Sequence, residues 1–166
     1  RAEAKEKVVS CFVQLGAIET DDAKANDFFL NVFRYAKKVE FQPQYGPLLQ
    51  QTVRFNADRA KDFALLLVNS DEGPKLDVNM VTDQFLAMRD VKNATNIMLE
   101  YLRARGDRPE DAALQTKLLE ANLLNAPHVA NAIMDSEEYR FTHYDKVKIA
   151  QLCETAQLYQ RALELY

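Results

Sequence analysis

Glycine and proline are scarce in this chain, numbering 4 and 5 among 166 residues. A β-sandwich or barrel turns tightly about every 8–12 residues and carries more of both, so an all-β fold is excluded first. Cysteine is scarcer still. Cys11 and Cys153 stand far apart, with no CxxC and no histidine at ligand spacing. A disulfide framework and a zinc site both lack support, and a reducing compartment is expected. No apolar run approaches the ~20 residues that span a bilayer, so membrane insertion is not expected. Positive charge is in deficit, at a formal net −4. The charges are interspersed rather than blocked, as on solvated helix faces, which argues against a nucleic-acid partner. The opening "RAEAKEKVV" is charged and amphipathic and does not read as a signal peptide. With no initiating Met and an amphipathic last stretch, "LYQRALELY", residues 1–166 read as one continuous segment of a longer chain.

Hydrophobic residues, at 48%, are ample for a packed core. Their spacing is helical almost everywhere. Val78, Val81, Phe85 and Met88 form one stripe; Ala94, Ile97, Met98, Tyr101 and Leu102 form the next; Val147, Ile149, Ala150, Leu152 and Cys153 form a broader face. Breaks are predicted at Gly16–Asp22, Lys38–Pro47, Ser70–Lys75, Arg105–Pro109, Asn125–Pro127 and Asp135–Tyr144, with shorter ones near Asn56, Asp90 and Ala156. That gives about ten helices, most of roughly 8–16 residues. Taken in pairs, they start near Ala2, Tyr45, Leu76, Pro109 and His143, and the last three intervals are 31, 33 and 34 residues. This period is one helical hairpin of an α-solenoid. A compact bundle would use fewer, longer helices with continuous heptads. The prediction is therefore all-α, an α-solenoid of about five stacked short hairpins.

Within "LEYLRARGDRPEDA" lies Arg105-Gly106-Asp107, the adhesion tripeptide RGD. Its surroundings give it a local task. Tyr101 and Leu102 close an apolar stripe, and Arg103 and Arg105 suit the negative end of the helix dipole. Gly106 is placed to end that helix in a left-handed conformation. Asp107 is expected to cap the next helix, with Glu110 completing a capping box.

No residue set suggests catalysis. GxGxxG, a GK[ST] loop and HExxH are all missing. His128 is read as a partly exposed residue in the first turn of a helix. His143 sits at a helix entry, where Thr142 or Asp145 could orient it, and no nucleophile stands nearby in sequence. Cys11, beside Val8 and Phe12, and Cys153, beside Ile149 and Leu152, are expected to be buried small hydrophobes. Asp21-Asp22 and Glu137-Glu138 fall where capping and dipole effects explain acids. Asn93-Ala94-Thr95 fits a glycosylation sequon but lies in a predicted helix. No catalytic, metal-binding or cofactor-binding residue is assigned, and a binding site is not specified. The residues alone support a helical-repeat interaction protein.

Several stretches resemble the clathrin heavy chain family: "LQTKLLEANLLNAPHVANAIM" (Leu114–Met134), "FTHYDKVKIAQLCETA" (Phe141–Ala156), "QRALELY" (Gln160–Tyr166) and, upstream, "YAKKV" (Tyr35–Val39). They occur in the family's order with nearly the right separations. The resemblance is strong from Leu114 to Tyr166 and patchy from Tyr35 to Ala113. It implies a right-handed superhelical rod of helical hairpins, and specifically the ankle of the coat's leg, following an amino-terminal propeller and linker. It implies a structural, non-enzymatic role in the polyhedral coat of endocytic and transport vesicles, on the cytosolic face of coated pits and coated vesicles. The implied partners are other clathrin heavy chains in the lattice, with light-chain and adaptor-peptide sites elsewhere on the full-length chain. As an isolated fragment the segment is expected to be monomeric. The competing reading is a helical-repeat tether or adaptor of vacuolar-sorting type, which would hold a partner helix in an exposed apolar groove.

Overall fold

A computed structural model describes residues 1–166 and contains ten α-helices and no strand. They are α1 (Ala2–Ile18), α2 (Asp22–Lys38), α3 (Tyr45–Phe55), α4 (Ala57–Val68), α5 (Val78–Ala87), α6 (Val91–Arg105), α7 (Ala112–Asn125), α8 (Pro127–Asp135), α9 (Lys146–Thr155) and α10 (Tyr159–Leu165). The residues group into two compact units, Arg1–Phe85 and Leu86–Tyr166.

Helix starts follow capping chemistry. Asp21, Asn56, Asp90 and Asp145 each precede a helix and accept a hydrogen bond from the amide three residues on. Each satisfies one of the four amides that a helix start leaves without a partner. Several helix ends work without glycine. Glu40, Arg89 and Gln157 adopt φ of 51°, 60° and 64°, which turns the chain after α2, α5 and α9. After α9 the Leu158 amide donates to the Cys153 carbonyl at 2.8 Å, and after α2 the Phe41 amide donates to Ala36 at 2.9 Å, the wide bond of a Schellman end.

In the first unit α1 packs on α2 and α3 on α4, and α1 and α2 also lie against α3 and α4 respectively. Its seam is aromatic: Phe29 of α2 stacks on Phe63 of α4 with ring centroids 4.9 Å apart, and both rings are fully buried. In the second unit α7 touches α6, α8 and α9, and α9 packs on α10. Ile97, Met98 and Leu102 of α6 and Leu118 and Leu119 of α7 have no exposed surface.

Three expectations change. Gly16 does not end α1; the helix runs on to Ile18, and Gly16 lies flat against Phe29. A Cβ there would sit 2.5 Å from the Phe29 ring. Gly16→Ala should therefore lose about 1–3 kcal/mol through overpacking, despite the gain in helix propensity. Gly46, with open space around it, should tolerate alanine or gain up to about 1 kcal/mol. Urea midpoints of the two variants check the contrast, and equal midpoints would refute it. Met88 falls beyond the end of α5 and is exposed, so that stripe stops at Phe85. Val147, included in the α9 face, is 61% exposed, whereas Ile149, Ala150 and Cys153 are buried.

Candidate functional site

The features with the most specific geometry are two polar junctions, each tying one hairpin to the next, and one apolar groove. In the first unit Arg59, in the opening turn of α4, is nearly buried. Its Nε donates to the Glu19 carbonyl at 2.9 Å and its Nη2 to the Thr20 carbonyl at 3.0 Å. Nη1 pairs with Asp22 at 2.7 Å and Asp62 at 3.1 Å. One guanidinium thus closes the α1–α2 turn onto α4, with Asn56 Nδ2 donating to the Ala17 carbonyl beside it at 3.2 Å. Burial opposes the charge, but the two carboxylates outweigh it and hold the guanidinium's pKa above its ordinary value.

In the second unit Asp107 is the knot. Its Oδ1 accepts from Gln115 Nε2 at 2.7 Å and from the Thr142 amide at 3.2 Å, and its Oδ2 accepts from the Thr142 hydroxyl. Gln115, fully buried, accepts at its Oε1 from the His143 amide at 3.0 Å. The α6–α7 turn, α7 and the segment before α9 are thereby joined through one carboxylate and one amide. Thr116 extends the join by accepting from the Asp145 amide at 2.9 Å.

The RGD residues are accounted for, with a correction. Gly106 does end α6, at φ 79° and ψ −178°, an extended positive-φ geometry rather than the left-handed helical one and open essentially only to glycine. Asp107 caps nothing, and no capping box with Glu110 forms. Pro109–Asp111 makes a 3-10 turn, and α7 begins at Ala112 without a side-chain cap. Proline's missing amide and the pull of Gln115 and Thr142 redirect the carboxylate to the junction. Arg105 pairs with Asp111 at 2.9 Å and lies over the Tyr101 ring. Both ends of the tripeptide are thus engaged within the fold.

Desolvation pushes the Asp107 carboxyl up, but the bonds from Thr142 and Gln115, with His143 Nε2 at 3.8 Å, hold it below the ordinary carboxylate value. A lowered folded-state pKa contributes stability above the unfolded value near 3.9, and that stability is lost as pH falls through the folded value. The second unit should therefore weaken below about pH 4. Asp107→Asn, keeping one acceptor oxygen where two are used, should cost about 1–3 kcal/mol at pH 7 and flatten the acid limb. Urea unfolding at pH 7, 4 and 3 tests both; an unchanged acid limb in the variant would show that other carboxylates set it.

The other residues singled out in the sequence fall as follows. His128 lies exposed in the first turn of α8. His143 is part of the Asp107 junction through its backbone, while Asp145 caps α9. Asp21 caps α2 and Asp22 serves Arg59; Glu138 pairs with Arg103 at 3.3 Å. Asn93 and Thr95 are buried in α6, Asn93 bonded to Asp90 and Thr95 to Asn122. Cys153 is buried as expected, but Cys11 is exposed. Its position is out of phase with the buried Val9, Val13, Gly16 and Ala17 of α1. No group of three or more His, Cys, Asp or Glu side chains could hold a metal ion. No helix is long and apolar enough to cross a membrane.

Cys11 instead lines an open groove of about 630 Å³ between α1 and α3. Leu15, Ile18, Gln51 and Phe55 share its walls, and no lining residue is charged. Sequence reasoning missed this groove and both junctions. Arg59 carried no local signal, but Leu15 and Ile18, spaced like the buried stripe on another face of α1, could have disclosed the groove.

Comparison with known proteins agrees with this architecture. The family described as "Region in Clathrin and VPS" matches residues 69–166. The clathrin heavy chain of Dictyostelium discoideum is 42% identical over 166 residues, all of this chain and 9% of that protein. That of Drosophila melanogaster is also 42% identical with the same coverage, and clathrin heavy chain 2 of Homo sapiens is 37% identical over 166 residues. The likeness therefore extends at full length through the first 34 residues, where the resemblance legible in the sequence is weak. No solved structure matches the chain significantly. The chain spans about a tenth of the length of these relatives. With hairpins interlocked in each unit and a family match over the larger part of its length, this chain belongs to the clathrin heavy chain family.

Proposed function

We propose that the chain is a structural segment of a clathrin-type coat leg, with a mechanical rather than catalytic role. The observation that carries this is the combination of family membership with side-chain locks between successive hairpins. Apolar seams and the Arg59 and Asp107 junctions hold neighbouring hairpins in register. Outer faces then pack against the legs of neighbouring heavy chains in a lattice on the cytosolic side of coated pits and vesicles. Each such contact is weak; repetition over the lattice supplies avidity while leaving every contact reversible. In this reading residues 1–166 are one continuous stretch of repeat, with light-chain and adaptor-peptide sites elsewhere on the longer protein.

Two measurements test the reading. Small-angle scattering of the 166-residue chain should give a monomer with a radius of gyration of roughly 20 Å or more, against about 15 Å for a compact domain of this length. A value near the lower figure would overturn the continuous stack. In cells, a fluorescently tagged heavy chain containing this segment should concentrate in membrane puncta that vanish on coat disassembly. A diffuse signal would overturn the coat assignment.

A further inference from the structure

We draw no further inference here: the strongest candidate, the open apolar groove between α1 and α3 walled by Leu15, Ile18 and Phe55, carries nothing because nothing in the structure shows what covers it.

Discussion

Leu118→Pro should unfold the second unit. Leu118 is fully buried midway along α7, the helix that touches α6, α8 and α9. Proline there removes the Leu118 amide from the helix and drives its ring into the carbonyl four residues back, at a cost of about 3 kcal/mol or more. Deleting the leucine side chain adds about 2–5 kcal/mol. A domain of this size holds only about 5–15 kcal/mol in total, so little or nothing is left. Far-UV circular dichroism should show a large loss of helix at 25 °C. Leu124→Ala, in the same helix but 63% exposed, should shift stability by no more than about 0.5 kcal/mol. A cooperative transition in Leu118→Pro within about 2 kcal/mol of the parent would contradict the central place given to α7.

Arg59→Met should cost the first unit about 2–4 kcal/mol, because it removes the guanidinium's bonds to the Glu19 and Thr20 carbonyls and its pairing with the largely buried Asp62. Asp22 is 91% exposed and contributes little once screened, so the loss comes mainly from the bonds to Glu19, Thr20 and Asp62. Two checks separate this from ordinary surface electrostatics. The deficit should persist in high salt, which screens exposed pairs but not buried hydrogen bonds. It should also be constant from about pH 5 to 9: a raised folded-state pKa contributes stability lost only as pH climbs through a range above the already high arginine value. Arg59→Lys should recover less than half, since one ammonium cannot reach all the acceptors the planar fork reaches. Full rescue by lysine would mean that charge, and not the fork, is what the junction uses.

The helices were legible because periodicity and capping are local. Asp21, Asn56, Asp90 and Asp145 announce starts within three residues, and the stripe Ala94, Ile97, Met98, Leu102 names the buried face of α6 without any tertiary knowledge. What stayed hidden was non-local. Gly16 read as a stop because a glycine's local meaning is a turn; its actual partner, Phe29, lies in the next helix. Asp107 read as a cap because Glu110 follows at the right spacing, and Thr142, 35 residues away, outcompetes that box. Cys11 read as buried because its neighbours Val8 and Phe12 are apolar, while the second stripe of α1 faces outward. Repeat spacing survived in the sequence where repeat letters did not. Glu40, Arg89 and Gln157 close turns in a conformation most residues resist at about 1–2 kcal/mol, so no single residue type marks the boundary.

The buried Asn93 of α6 turns an idle sequence match into a clock. Its side chain is held by Asp90, and Thr95 by Asn122, so the Asn-Ala-Thr triplet is out of reach of any modifying enzyme once α6 has packed on α7. If the chain were routed through a secretory compartment, the asparagine could accept a sugar only during the interval before that packing. The fraction of chains carrying a glycan would then record how fast the second unit folds, with slow folders marked and fast ones bare.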